Sequence, residues 1–199
     1  VVVHAGSGDV QALYGYDATS STFGATAALT VGTNPVAVAL ADLNGDCVQD
    51  VVVANQGSDD LSVTFGTPSA QAQSFGSGCA GTGGLVPALA ATGGAPTVGN
   101  NAFGTELTQA RSFAPCLMLW SASQATLALG DCEVLVGLPA ASALRFTDGS
   151  GTDTWTFGIP NDPALLCVEL FFQASVFDPN GSFSSLLAFS DAMRLRIGQ

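Results

Sequence analysis

The chain opens with short runs in which apolar and polar positions alternate. Val1–Val3 and Val10–Tyr14 flank one Gly/Ser/Asp turn, and Val51–Ala54 and Leu61–Phe65 flank another. Between these pairs lie Ala27–Val31 and Pro35–Ala41, the latter alternating Val36, Val38 and Leu40 with alanines. Period-two alternation bounded by Gly, Asn and Asp predicts strands. Beyond residue 75 such segments recur at Glu106–Ser112, Cys116–Ser121, Cys132–Val136, Ala143–Thr147, Thr154–Ile159, Cys167–Phe177 and Leu187–Ile197. Turn signals separate them: Asp148-Gly149, Pro160-Asn-Asp-Pro163 and Asp178-Pro-Asn-Gly181. Seven or eight short strands over about 120 residues predict an antiparallel β-sandwich. A helical turn is expected only near Pro163–Leu166. The small-residue, charge-free run Gly66–Gly78 reads as a connector. The expected organisation is a repeat region over 1–70, a linker over 71–78 and a β-sandwich over 79–199.

The first region carries an internal repeat. Setting residue 1 on residue 51 aligns VVVHAGSGDVQALYG with VVVANQGSDDLSVTFG at the cost of one gap. Gly6-Ser7 falls on Gly57-Ser58, Asp9 on Asp60, Tyr14 on Phe65 and Gly15 on Gly66. A spacing of about 50 residues, with four short strands per unit, predicts a propeller-type blade. The expected fold class is thus all-β: a partial propeller-type blade repeat followed by an antiparallel β-sandwich. The repeat is incomplete, because Val1 corresponds to a position that follows the Asp-rich loop of the second unit. Either the sequence belongs to a longer protein or other copies complete the blade, and both readings predict open β edges.

Asp42-Leu-Asn44-Gly-Asp46-Cys-Val48-Gln-Asp50 is the sharpest motif. Oxygen ligands at positions 1, 3 and 5, a backbone carbonyl at 7 (Val48) and a carboxylate at 9 can wrap a hard cation. An all-oxygen set suits calcium and needs no histidine or thiolate. An Asp/Asn-rich turn that holds its own backbone without metal is the alternative. The motif resembles the FG-GAP or VCBS repeats, in which a D-x-N-G-D-G-x-x-D loop leads into an Asp-Val-Val-Val-Ala-Asn strand; here that strand is Asp50–Asn55. The resemblance implies calcium held by Asp42, Asn44, Asp46 and Asp50. Cys47 stands where the family has glycine, and a positive φ there costs a cysteine roughly 1 kcal/mol.

The second region resembles the C-terminal β domain that ends large secreted proteins of planctomycete-type bacteria. The matching residues are Gly78-Cys-Ala-Gly81 with Gly84-Leu-Val-Pro87, Val98-Gly-Asn100, Gly130-Asp-Cys132, Ile159–Pro163, Gln173–Pro179 and Ser190–Gly198. Such domains often carry cysteines where Cys79 and Cys132 stand, which implies that these two pair. Cys116 and Cys167 each begin an apolar strand, a placement suited to bridging two sheets. Four cysteines allow three pairings, and small buried hydrophobes are the alternative for all five. Cys47 is left over, either free or joined to another subunit.

Composition narrows the function. Of 199 residues, 47% are apolar and 10% charged, with 16 acids against 4 bases and a net charge of −12. The bases are Arg111, Arg145, Arg194 and Arg196; there is no lysine and a single histidine, His4. Average domains carry roughly 25% charged residues, so a surface this poor in charge favours self-association. The acidic balance argues against nucleic acid and anionic membrane surfaces. The longest uncharged windows, Ala18–Ala41 and Ser112–Gly130, contain Gly, Pro, Ser and Thr and alternate, so membrane insertion is not expected. Low lysine, abundant Gly/Ser/Thr and five cysteines without a CxxC pair favour an extracellular or cell-surface location.

Catalytic constellations are scarce. His4 has no nucleophile beside it. Asp59-Asp60 and Asp148/Asp153 fall in turns, where solvated acids are ordinary. Trp120, Trp155 and the phenylalanines can stack on sugars, although alternating strand positions also place them in a core. The expectation is a non-enzymatic extracellular structural protein that assembles with copies of itself and is stiffened by calcium and disulfides. The alternatives are an adhesion or glycan/protein-binding module and the C-terminal anchoring part of a larger secreted protein.

Overall fold

The computed structural model describes residues 2–4, 9–141 and 144–199. The protein is all-β, built from antiparallel sheets that close no barrel among the described residues. It divides into two compact units, Val1–Thr67 and Pro68–Gln199.

The first unit holds two three-stranded meanders. One comprises β1 (Val2–His4), β2 (Asp9–Asp17) and β3 (Thr22–Leu29); the other comprises β4 (Pro35–Ala41), β5 (Asp50–Asn55) and β6 (Asp60–Thr64). Both repeat units fold as the expected hairpin. His4 faces Asp9 across β1–β2, and Asn55 faces Asp60 across β5–β6, with four residues between the partners in each case. Gly6 and Ser7, the expected turn of the first unit, lie outside the described residues. Each sheet has three strands where a blade of four is expected.

Register fixes the two faces of β4–β5–β6. Val38 pairs with Val53, and Leu40 with Val51 and Thr64, on one face. Ala39, Val52 and Val63 align on the other, as do Ala37, Ala54 and Leu61. Both faces are therefore apolar, the pattern of a strand layer covered on both sides. The first face looks toward the other meander, since Leu29 of β3 lines the same small cavity as Val51 and Thr64. The second does not: Leu61 is 66% exposed and Val63 46%.

The second unit is three layers deep. Its strands are β7 (Gln71–Phe75), β8 (Ala88–Thr92), β9 (Gly104–Thr108), β10 (Pro115–Ser121), β11 (Gln124–Leu129), β12 (Cys132–Val136), β13 (Ala140–Ala141), β14 (Arg145–Phe146), β15 (Asp153–Thr156), β16 (Glu169–Phe177) and β17 (Leu187–Arg196). The large sheet runs β13-β10-β16-β17-β7, with β14 also on β10. The sheet β15-β9-β8 lies against its inner face. One core joins Leu89, Leu107 and Trp155 to Met118, Phe172, Met193 and Leu195. The hairpin β11–β12 covers the outer face, where Cys79, Cys132 and Phe189 form a second, smaller cluster.

The expected linker is corrected by this arrangement. Gln71–Phe75 is an edge strand, in register with β17 from Gln71↔Arg196 to Phe75↔Ala192. Its small polar residues carry little strand preference of their own. The unpaired ladder of β17 recruits them, and Ala72 packs onto the core. Three further strands are not announced by the alternation, β8 directly after Pro87, β11 before the turn at Gly130 (φ 67°) and the two-residue β13. The helical turn expected near Pro163–Leu166 is a 3-10 turn over Pro163–Leu165, capped by the Asp162 carboxylate, which accepts from Ala164 N at 2.9 Å.

Close approach explains part of the glycine pattern. A Cβ on Gly81 would lie 2.5 Å from Asp178 Oδ2, and one on Gly151 (φ 76°) would lie 1.9 Å from the Ala110 carbonyl oxygen.

Candidate functional site

The Asp42–Asp50 loop joins β4 to β5, and its acids are spent first on its own backbone. Asp42 Oδ1 accepts from Gly45 N (2.7 Å) and Asp46 N (3.1 Å), and Oδ2 accepts from Cys47 N (2.9 Å). Asn44 Oδ1 accepts from Asp46 N, while its Nδ2 donates to Asp46 Oδ2 at 3.0 Å. Asp46 Oδ1 accepts from Val48 N at 2.9 Å. Asp50 is fully buried; Leu43 N donates to its Oδ2 at 2.7 Å and Gly66 N to its Oδ1 at 2.9 Å. That carboxylate ties the loop to the end of β6. Cys47 has φ 60°, the left-handed conformation that glycine adopts without strain.

The loop's free lone pairs are all on oxygen, the donor type a hard cation takes. Asp42 Oδ2 and both Asp50 oxygens accept one N–H each and keep a second lone pair, and the Val48 carbonyl adds a neutral oxygen. Among the described residues, however, no three His, Cys, Asp or Glu side chains gather in a metal-holding group.

At the far end of β5, Asn55 is 2% exposed and donates to Asp60 Oδ1 (2.8 Å) and Ser62 Oγ (2.9 Å). Ser58 Oγ also donates to Asp60 Oδ1. These donors from Asn55 and Ser58 lower the Asp60 carboxyl below its ordinary value. The network reaches the preceding turn through Gly32 N, which donates to Ser62 Oγ. The paired acids read from sequence thus serve a turn.

In the second unit Cys79 and Cys132 form a disulfide, 5.1 Å between Cα atoms. It fastens the chain that leads into β8 to the covering hairpin. The bridge expected between Cys116 and Cys167 is not formed. Cys116 pairs with Val176 across β10–β16, while Cys167 precedes the start of β16. Nine residues of extended chain separate Val176 from Cys167, about 25–30 Å at about 3.3 Å per residue. A disulfide spans less than about 7 Å between Cα atoms. Sharing a sheet puts the two thiols at its opposite ends instead of facing each other across the core. Cys116 is buried, with Asp153 Oδ2 3.8 Å from its sulfur, and burial followed by that carboxylate pushes its thiol up to about 12.

Other candidates resolve into packing. Arg194 pairs with Glu169 on the neighbouring strand, and Arg196 Nη2 donates to Cys167 Sγ at 3.7 Å. His4 ends β1. Asp148 caps its own turn, with Ser150 and Thr152 donating to Oδ1. Asn180 of the Asn-Gly-Ser sequon lies in a turn built on Asp178, which is 1% exposed and accepts from Thr82 N, Thr82 Oγ1 and Asn180 N. Burial raises the Asp178 carboxyl, yet these donors and the charge of Arg111 together bring it below the ordinary value. Asp153 forms a bidentate pair with Arg145, Nε to Oδ2 at 2.7 Å and Nη2 to Oδ1 at 2.6 Å.

The sequence reading missed Gln173. It is fully buried on the outer face of the large sheet, where Leu135 N donates to its Oε1 and its Nε2 donates to the Glu133 and Ser190 carbonyls, all at 2.9 Å. A polar residue inside the apolar run Glu169–Phe177 is the one signal that marks it. No family model matches the chain, and neither the curated proteins nor the solved structures include a match to it.

Proposed function

We propose that the chain is a non-enzymatic structural subunit that associates with further copies of itself through the uncovered face of β4–β5–β6. The observation that carries this reading is a sheet with apolar side chains on both faces, the first buried at Val53 though open at Leu40 (45% exposed), the second open at both Leu61 and Val63. Leu61 and Val63 form the open face, and Ala37 and Ala39 extend it without a charge. Burying these two side chains is worth roughly 1.5–3 kcal/mol each before association costs are met.

A second copy is the occupant because the covered face already packs toward a meander of the sister repeat. A sheet of the same kind from another copy would cover the open face in the same manner. In this reading the repeat is propeller-type and completed between copies, and the chain acts outside the cell, where a disulfide persists. Calcium in the Asp42–Asp50 loop, held by Asp42, Asn44, Asp46, Asp50 and the Val48 carbonyl, would stiffen the β4–β5 connection.

Sedimentation velocity and negative-stain microscopy of the full chain in calcium test the proposal. Concentration-dependent oligomers or ordered filaments are expected, and Leu61→Asp/Val63→Asp should dissociate them while leaving the circular dichroism unchanged. A monomer at all accessible concentrations, or assemblies indifferent to the double variant, would overturn it. A monomer would shift the weight to a longer parent chain whose own repeats cover the face.

A further inference from the structure

The chain contains two Asn-Gly steps, Asn44-Gly45 and Asn180-Gly181. An asparagine before glycine readily forms a cyclic imide, because the missing Cβ lets the glycine nitrogen approach the preceding side-chain amide. Both asparagines are exposed, so sequence and exposure rank the two steps equally. Their surroundings separate them.

Gly181 is buried, and its N–H donates to the Asp178 carbonyl at 2.8 Å. A Cβ there would lie 2.2 Å from the Leu187 carbonyl oxygen, so main chain closes over this turn. Asn180 N donates to Asp178 Oδ1. The buried Asp178 carboxylate also holds Thr82, whose Oγ1 accepts from Asn180 Nδ2 at 3.2 Å. Turning the Asn180 amide toward Gly181 N requires that network to open.

Asn44 and Gly45 are both exposed, and a Cβ on Gly45 (φ 75°) would meet nothing within 4 Å. The bond from Gly45 N to Asp42 Oδ1 is itself exposed, so water can replace it. The Asn44 side chain bonds two residues away within the same loop, accepting from Asp46 N and donating to Asp46 Oδ2. Freeing it needs movement inside the loop, which is the low-cost kind of local opening.

We propose that Asn44 is a self-modification site of the native chain, converted to aspartate or isoaspartate while Asn180 is spared. Gly45 N gives its proton to solvent base and bonds to Asn44 Cγ; the Cγ–Nδ2 bond breaks and ammonia leaves. Water then opens the cyclic imide at either carbonyl. One water is consumed for each ammonia released, and no oxidant or reductant takes part. The aspartate product puts a carboxylate where Nδ2 donated to Asp46 Oδ2, replacing a hydrogen bond by like-charge repulsion. Isoaspartate reroutes the main chain through the side-chain carbon and displaces the three N–H groups that Asp42 holds, those of Gly45, Asp46 and Cys47. Either product loosens the β4–β5 connection. The inference rests on neither the assembly proposed above nor cation binding.

The test incubates the full chain at pH 8 with a chelator, in water enriched in heavy oxygen, and follows both peptides by mass mapping. Heavy oxygen marks each conversion as it happens. Asn44 should convert at least about tenfold faster than Asn180 in the folded chain. After reduction in denaturant the two rates should agree within about threefold, since the same dipeptide then reacts without a fold. Asn44→Asp should speed amide hydrogen exchange at Gly45, Asp46 and Cys47 and leave that of Gly181 unchanged. Equal rates in the folded chain, faster conversion at Asn180, no conversion at Asn44, or unchanged exchange in Asn44→Asp would overturn the proposal.

Discussion

Replacing Gln173 by leucine tests how the outer hairpin is held. The side chain sits beside a bulge on β17, where Ser190 and Asp191 stand opposite the single residue Ala174 of β16 and Ser190 Oγ accepts from Ala174 N. Leucine keeps most of the volume but strands three partners. Of these, Leu135 N and the Ser190 carbonyl are buried, while the Glu133 carbonyl can reach water more readily. Two buried unsatisfied groups at about 1–3 kcal/mol each give an expected loss of about 3–4 kcal/mol. For a unit of this length that is about 10–14 °C in Tm. Because two of the three bonds attach β12 to the large sheet, the loss should be local. Hydrogen exchange should accelerate across residues 124–136 well before it does in β9, β10 or β17. Calorimetry gives the magnitude and exchange gives the place. A loss below about 1 kcal/mol, or acceleration spread evenly over the unit, would refute the clamp.

Reduction of Cys79–Cys132, which closes a sequence separation of 53 residues, should cost up to about 4 kcal/mol by releasing the unfolded chain. Non-reducing peptide mapping should recover this bridge and no Cys116–Cys167 peptide. Alkylation at pH 8 should leave Cys116 unmodified until denaturant is added, since its buried thiol titrates only at about 12; native-state labelling of Cys116 would contradict its placement. Asp178 has a folded value below its unfolded one of about 3.9, so it contributes stability that is complete above about pH 5 and fades as acid falls through 4 toward the folded value. Asp178→Asn should therefore be less stable than the parent at pH 7, with the gap closing toward pH 3; a gap that stays constant with pH would assign the effect to packing.

The all-β class, the hairpin form of both repeat units and most strands from Cys116 onward were legible in the chain because alternation and turn residues are local properties. The positive φ of Cys47 was legible only through resemblance, from the glycine that stands at that place in the repeats its loop resembles. Pairing was not local and could not be read. Gln71–Phe75 is a strand only because β17 leaves an edge beside it, and Cys116 and Cys167 miss each other only because β10 and β16 run antiparallel with Cys116 opposite Val176. Gln173, fully buried yet polar, contradicts its own side-chain chemistry until the bulge and the β12 backbone supply three partners. A cleft in the second unit likewise gathers Trp120, Arg145 and Trp155 from three strands, a meeting that depends on long-range register. Side-chain period set which residues turn inward; only the tertiary ladder decided what each one meets there.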